Sequence, residues 1–380
     1  MSAIRKIDKV IRAMEQEAVQ RSMLELLQDS RQELMRTTQQ TQDQFAQTFK
    51  SPPSVGFRKL HTLADQSQDP HYDRALGAML GLAVGEAVGV AAAGQPRDSF
   101  VLITDMDGGG MLNLQPGQWT AGTAMALALT EVFACRNRLS EIDFMQRLLA
   151  WHEKGVNSCT GTSVGISPIV VEALSLFKQT NDPLAGNTHP DGLDSGGMIR
   201  AAPLAIAYRN RRKELFDVAA RQSRTTDGGA YAVDASIAFA DILAGAICGD
   251  DRETILGPRH LPDAPHAARV LDGSWRNKVR KEIHSRNNAY YILEAALWCM
   301  SQEFCFEDAV LLAANLGDDA TLTAGLVGQL AGAHYGARAI RKDWLKKLAW
   351  HDHIVNRTDS LFAVTAEPIR RELGTTAIII

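Results

Sequence analysis

Apolar and small residues recur at helical spacing along most of the chain from Asp73 onward. Seven segments carry this pattern and are rich in alanine and leucine: 73–89, 123–134, 169–177, 232–248, 290–300, 306–316 and 323–336. Their small residues are spaced so that neighbouring helices can approach closely. The best strand signal, at residues 101–104, is only four residues long. The pattern therefore predicts an all-α body.

Glycine-rich stretches separate the predicted helices. They lie at residues 94–118, 155–168, 186–197 and 315–318. Loops between buried helices are where a multi-helix domain places the groups that face a ligand. We therefore expect any binding or catalytic chemistry to come from these stretches.

The first 70 residues have a different pattern. Ile4, Ile7 and Ile11 begin an apolar stripe at helical spacing, a Gln/Thr-rich run covers residues 37–47, and Ser51-Pro52-Pro53 ends any helix. We predict a helical N-terminal extension and linker over residues 1–70 and a main domain over residues 71–380. Residues 1–50 are a helical hairpin packed on that domain, an arm that binds a protein partner, or a flexible tail.

Composition narrows the class of protein. The chain has 380 residues, 45% of them hydrophobic and 22% charged, and its net charge is −4. This balance gives no electrostatic reason to bind nucleic acid or an anionic membrane. The five cysteines have no CxxC spacing, and the charged N-terminus does not read as a signal peptide. We expect a cytoplasmic protein without a disulfide framework or a membrane span.

The most informative motif is GGGMLNLQPGQWTAGTAMALALTE at residues 108–131. It is followed in order by CTGTSVGIS, DSGGMIRAAPLAIA, ARQSRTTDGGAYAVDA and NLGDDATLTAGLVGQLAGAHYG. Together with RALGAMLGLAVGEAVG before it, this series resembles the ADP-ribosylglycohydrolase family over about residues 73–362. The resemblance implies a compact multi-helix bundle. It also implies a reaction in which active members cleave ADP-ribose from a modified side chain with two Mg²⁺ ions.

Two blocks of the family pattern supply the metal ligands, and both are altered here. Between Thr120 and Thr123 the family has two aspartates, but this chain has Ala121 and Gly122. In the second block Asp319 remains, whereas the next two ligand positions hold Thr321 and Leu322. A pair of Mg²⁺ ions needs several converging carboxylates. We therefore predict a vestigial metal site at Thr120 and Asp319 and no cofactor, or one or two Mg²⁺ ions if the chain is active.

Other positions suggest a ligand cleft. Glu86 stands where the family has an aspartate, and the loop 159–167 resembles a phosphate-contacting segment whose backbone N–H groups can approach a diphosphate. The predicted ligand-binding residues are Glu86, Gly161, Thr162, Gly165, Ser167, Ser195 and Gly196. Four further acids are candidates to replace the missing metal ligands: Asp105, Asp107, Asp227 and Asp318.

Two functional hypotheses follow. The first is a catalytically degenerate homologue that binds a protein or an ADP-ribosylated ligand, for example an immunity protein that blocks an ADP-ribosylating toxin with its N-terminal segment. The alternative is an active ADP-ribosyl hydrolase with a rearranged or single Mg²⁺ site. The loss of three of four aspartates favours the first.

Overall fold

The computed structural model describes residues 69–184, 186 and 192–366, and these form an all-α fold. The α-helices within this part of the chain are α1 Pro70–Gly89, α2 Ala121–Arg136, α3 Glu141–Lys154, α4 Pro168–Thr180, α5 Gly196–Ile199, α6 Ala202–Tyr208, α7 Arg212–Arg224, α8 Ala230–Cys248, α9 Arg252–Leu256, α10 Ala268–Leu271, α11 Ala289–Gln302, α12 Phe306–Ala314, α13 Ala320–Tyr335, α14 Lys342–Lys347 and α15 His351–Ala366. Short 3₁₀ turns cover Val90–Ala92, Pro265–Ala267, Arg280–Glu282 and Ala337–Ala339.

The all-α prediction is confirmed. No strand occurs in the described ranges, and residues 101–104, which carried the best strand signal, are irregular. The one pairing of extended backbone found there is an antiparallel bridge between Gly109 and Leu114. Four residues are too few to form a stable strand without a neighbouring strand to pair with.

Helices α1 and α13 form the centre of the fold through a seam of small residues. Four glycines of α1 face backbone carbonyls of α13: Gly77 faces Gly332, Gly81 faces Gly328, Gly85 faces Ala324 and Gly89 faces Ala320. A Cβ added at any of the four would lie 2.0–2.5 Å from the facing carbonyl oxygen. The two backbones are therefore in direct contact, as the spacing of small residues in the sequence predicts.

Other helices cover this central pair. Helices α8, α11, α12 and α15 pack on α1, on α13 or on both. The segment Pro70–Ala92 and helix α8 are long and apolar enough to cross a membrane by length and composition. In each, 89% of the apolar window is buried inside the fold. Packing in the core accounts for their hydrophobicity.

The central pair also fixes the relative position of two helix ends. The last turn of α1 lies beside the first turn of α13, because Gly89 contacts Ala320 and Thr321. Helix α2 packs against α1 and α5 nearby. The predicted extension, the domain boundary near residue 70 and the partner-binding role of residues 1–50 fall almost wholly outside the described residues and stay predictions.

Candidate active site

Several helix ends meet at one cavity of about 270 Å³. Its wall includes the last turn of α1, the first turns of α2, α4 and α13, and parts of α5. Most of the lining is apolar side chains and glycine. The lining residues with polar side chains are Glu86, Thr120, Ser167, Asp194, Ser195, Asn287, Asp319 and Thr321. A largely apolar wall with a few convergent polar groups is typical of a small-molecule site.

The Glu86 carboxylate is buried and caps the start of α2. It accepts hydrogen bonds from the backbone N–H groups of Thr120, Gly122 and Thr123, at 3.2, 2.8 and 3.0 Å. The hydroxyls of Thr120 and Thr123 donate to it as well, each at 2.6 Å. The first N–H groups of a helix have no partner within the helix and carry partial positive charge. Glu86 supplies both the acceptor and the opposite charge.

Glycine at position 122 makes room for this carboxylate. A Cβ added at Gly122 would lie 2.6 Å from Glu86 Oε1 and 2.6 Å from Ile199 Cγ1. Both distances are well inside van der Waals contact. An aspartate therefore cannot occupy position 122 while Glu86 caps α2, so glutamate at 86 and glycine at 122 are two parts of one arrangement.

Asn287 joins the two other carboxylates of the cavity. Its backbone N–H donates to Asp319 Oδ2 at 2.5 Å, and its side-chain Nδ2 donates to Asp194 Oδ2 at 2.9 Å. Its Oδ1 accepts from the backbone N–H of Ser195 at 3.1 Å and from the Ser195 hydroxyl. The backbone N–H of Gly196 completes the set by donating to Asp194 Oδ1 at 2.7 Å. The position of each carboxylate is thus fixed by N–H donors.

Two buried charged residues outside the cavity lining, Asp227 and Arg200, stabilise the segment that carries Asp194. The Asp227 carboxylate accepts the backbone N–H groups of Asp194 and Gly229, at 2.9 and 2.8 Å. The fully buried guanidinium of Arg200 donates a hydrogen bond to Gln222 Oε1 at 2.7 Å. It also interacts electrostatically with the carboxylates of Asp194 and Asp227. Burial lowers the pKa of Arg200 to about 9, and the negative charges of Asp194 and Asp227 oppose that shift. The buried positive charge helps to hold this acidic segment together.

Asp319 is the N-cap residue of α13 and has a perturbed acidity. Burial raises the pKa of its carboxyl, and the negative charges of Asp318 and Asp194 raise it further. The N–H of Asn287 opposes the shift by stabilising the ionised form. A carboxylate with a raised pKa accepts a proton more readily near neutral pH, which suits a general base.

The predicted glycine-rich segment reaches the cavity only at its end. Gly165 and Ser167 line it, and Ser167 caps α4 by accepting the N–H of Val170 at 3.3 Å. Gly161 and Thr162 do not line it. The Thr162 carbonyl accepts the hydroxyl of Ser158 at 2.6 Å, so this part of the segment is folded on itself.

Some of the remaining predicted positions line the cavity and others do not. Glu86, Ser195 and Gly196 line the cavity, as do Thr120 and Asp319. The four acids proposed as replacement metal ligands do not. Asp105 accepts from Trp344 Nε1 at 2.6 Å and from Lys347 at 2.7 Å, Asp227 lies beneath the wall, and Asp318 and Asp107 are outside the lining.

The cavity residues do not fit a pair of Mg²⁺ ions, which the family pattern implies. Within the described ranges no three His, Cys, Asp or Glu side chains are grouped so that they could hold a metal. Glu86 uses both oxygens for five N–H and O–H donors. Four positions that carry metal ligands in the family pattern have no carboxylate in this chain, because they hold Ala121, Gly122, Thr321 and Leu322. We therefore assign no chemical step to a metal.

Sequence reasoning did not find Asp194 and Asn287. Asp194 directly precedes the predicted ligand residue Ser195, so the acid at the start of DSGGMIR was a usable signal. Asn287 lies in an irregular stretch before α11 and belongs to no motif. Its role depends on contacts with residues 32 and 93 positions away, Asp319 and Asp194, which the sequence does not reveal.

The chain is similar to known proteins in sequence and in structure. A family model described as ADP-ribosylglycohydrolase matches residues 67–370. The chain is 36% identical over 295 residues to a Serratia proteamaculans (strain 568) protein named ADP-ribosylarginine hydrolase Tri1, and the match covers 78% of this chain and 80% of the relative. A Pseudomonas putida (strain GB-1) protein of the same name is 36% identical over 290 residues, with 76% and 78% covered. A solved structure described as an ADP-ribosylglycohydrolase-related protein complex has a TM-score of 0.68 and 33% identity, covering 78% of this chain and 99% of that chain.

Proposed function

Because the chain belongs to the ADP-ribosylglycohydrolase family, we propose that it is an ADP-ribosyl hydrolase that releases ADP-ribose from modified arginine side chains. The observation that supports this most directly is the pair of carboxylates, Asp194 and Asp319, that Asn287 holds by hydrogen bonds in a largely apolar cavity. The arginine linkage is taken from the names of the two hydrolases at 36% identity.

The prediction of a catalytically degenerate binding protein is wrong. The relatives that match most of this chain are named as hydrolases, which favours the alternative of an active enzyme. The prediction counted lost aspartates position by position. It did not consider positions 86 and 122 together. The longer carboxylate of Glu86 occupies space that a side chain at position 122 would otherwise fill. Three carboxylates still line the cavity.

The substrate's own charge explains how two carboxylates can promote the reaction. The guanidinium of an ADP-ribosylated arginine is cationic, so it can leave as a neutral guanidine when the C1–N bond breaks and its electron pair stays on nitrogen. Positive charge then moves onto the ribose ring, in an oxocarbenium-like transition state. Asp194 and Asp319 lie in a cavity of low polarity, where negative charge stabilises such a cation more strongly than it does in water.

Asp319 is the proposed general base. A water molecule attacks C1 and forms the new C–O bond, and its proton passes to the Asp319 carboxylate, which later returns it to solvent. The neutral guanidine takes up a proton from solvent, so the products are ADP-ribose and arginine with its ordinary cationic side chain. The raised pKa of Asp319 makes its carboxylate a better proton acceptor than an ordinary aspartate. Asn287 orients this carboxylate through its backbone N–H.

The cavity volume limits what is enclosed. About 270 Å³ is enough for the ribose and the linked group, while a larger ligand must extend through the opening. Gly165 and Ser167 directly precede α4, and the partial positive charge at the start of this helix favours a diphosphate nearby. We therefore place the diphosphate beside this segment and the reacting ribose between Asp194 and Asp319.

The test is release of ADP-ribose from an arginine-ADP-ribosylated peptide, followed by mass spectrometry with Mg²⁺ or with a chelator. We expect release by the full chain in both conditions, and its loss in Asp319→Asn and Asp194→Asn. Asp217→Asn is a matched control, because Asp217 is exposed on α7 and paired with Arg221. Absence of release in both conditions would contradict the proposal. Release that requires Mg²⁺ would keep the hydrolase and overturn the metal-free site.

A further inference from the structure

The hydroxyl of Thr321 is buried at the cavity without a hydrogen-bond partner. Thr321 is 9% exposed and lines the cavity in the first turn of α13. Three other buried side-chain nitrogens or oxygens in the described part of the chain also lack a partner, those of Arg259, Trp275 and Tyr335, and none of these residues lines the cavity. Leaving a buried hydroxyl unpaired costs folding free energy, so a bound ligand is a natural partner for this one.

The position of Thr321 in its helix explains the missing partner. A helical threonine commonly donates to the carbonyl four residues earlier, as Thr323 does to Asp319 O at 3.2 Å. For Thr321 that residue is Gly317, which precedes the helix and whose carbonyl accepts the hydroxyl of Ser285 at 2.9 Å. The backbone has no room to adjust, because a Cβ at Gly89 would lie 2.7 Å from Thr321 Cα.

We infer that the Thr321 hydroxyl binds a hydroxyl of the reacting ribose directly. The inference rests on the proposed function, which places that ribose beside Asp319, two residues earlier in the same turn. A threonine hydroxyl can donate and accept, and so can each ribose hydroxyl. A direct hydrogen bond from the protein would position the sugar in this cavity, whose residues do not fit a pair of Mg²⁺ ions.

The experiment compares two ligands that differ in the terminal ribose. ADP-ribose and ADP are titrated calorimetrically into the full chain and into Thr321→Val, Thr321→Ser and Thr130→Val. Valine matches the shape of threonine and removes the hydroxyl, whereas serine keeps it. Thr130 is a buried control in α2 whose hydroxyl already donates to Ala126 O at 2.8 Å, away from the cavity.

We expect Thr321→Val to raise the Kd of ADP-ribose about fivefold and to leave the Kd of ADP unchanged, as for the loss of one uncharged hydrogen bond. Thr321→Ser and Thr130→Val should bind ADP-ribose as the parent chain does. An unchanged Kd in Thr321→Val, an equal loss for ADP and ADP-ribose, or a parent chain that does not bind ADP-ribose would each overturn the inference. Selective weakening without any hydrolysis by the parent chain would support it and refute only the proposed function.

Discussion

Helices α2 and α13 both begin at the cavity, but the polar groups of their first turns are partnered very differently. At the start of α2, Glu86 satisfies three backbone N–H groups and two hydroxyls. At the start of α13, Asp319 has a raised pKa and the hydroxyl of Thr321 has no partner. Fully satisfied polar groups stabilise a fold, whereas unsatisfied ones remain available to a ligand. The first helix start is thus structural and the second is suited to chemistry.

The contrast also shows why counting ligand positions gave the wrong function. At α2 the exchange of residues closed the site, because the carboxylate of Glu86 points into the helix end that a ligand or metal would otherwise reach. At α13 the exchange left Asp319 in place and changed only its neighbours. Two altered motifs can therefore differ in which polar groups they leave available to a ligand.

The largest effect should follow from removing the proposed base. Asp319→Asn should reduce ADP-ribose release about 1,000-fold, within the range that general-base catalysis contributes. Asparagine has nearly the same shape and can still accept the N–H of Asn287, so the melting temperature should change little. Release rates and melting curves of the same preparations check both statements. Unchanged release would mean that Asp319, like Glu86 at the start of α2, has only a structural role.

The acidity of Asp319 adds a pH test of the same residue. Burial raises its pKa in the folded state, so the stabilisation from its bound proton is complete below about pH 4, the ordinary aspartate value, and is lost as pH rises through the folded value. Asparagine does not titrate. Denaturant unfolding should therefore show Asp319→Asn gaining stability relative to the parent chain between acidic and neutral pH. A constant difference would contradict the raised pKa.

Next in size is the loss of the cap on α2. Glu86→Gln replaces one accepting oxygen with an NH₂ group that faces N–H and O–H donors, so the free energy of unfolding should fall by about 3 kcal/mol. Chemical denaturation measures this. Glu307→Gln is the matched control, since Glu307 is a half-exposed partner of Arg341 and should cost only about 0.5 kcal/mol. Similar losses in both variants would remove the distinction between the two helix starts.

A smaller effect should reveal the coupling between positions 86 and 122. Gly122→Ala alone should cost about 2 kcal/mol, because its Cβ meets Glu86 Oε1 and Ile199 Cγ1 at 2.6 Å. In a Glu86→Asp background the carboxylate is one methylene shorter, so the same change should cost about 1 kcal/mol less. A double-mutant cycle of unfolding free energies gives the difference. Additive losses would mean that the two positions do not compensate each other.

The smallest expected effect concerns two threonines. Thr130→Val removes a buried hydroxyl that donates to Ala126 O and should cost about 1 kcal/mol of unfolding free energy. Thr321→Val removes one with no partner, so its unfolding free energy should fall by less than about 0.5 kcal/mol or rise. The comparison fails if Thr321→Val is the more destabilised of the two.

The fold was largely predictable because helical periodicity and small-residue spacing are local signals. The glycines at positions 77, 81, 85 and 89 show the α1 face of the central seam in the sequence itself. The site was only partly predictable. Ser195 and Asp319 lie within recognisable blocks and line the cavity, whereas the part played by Asn287 depends on long-range contacts. No sequence pattern shows that the side chain of Glu86 fills the space beside Gly122.

The glycine seam between α1 and α13 also sets the order in which this domain can be made. Helix α1 ends at Gly89 and its partner begins at Ala320, so nearly all of the domain must leave the ribosome before the two can pair. At typical rates of synthesis the apolar face of α1 waits on the order of ten seconds. Central contacts this distant in sequence also slow folding. The nascent chain therefore has a long window in which a chaperone can bind α1, and variants that weaken α13 should lower the yield of folded protein before they affect the folded protein itself.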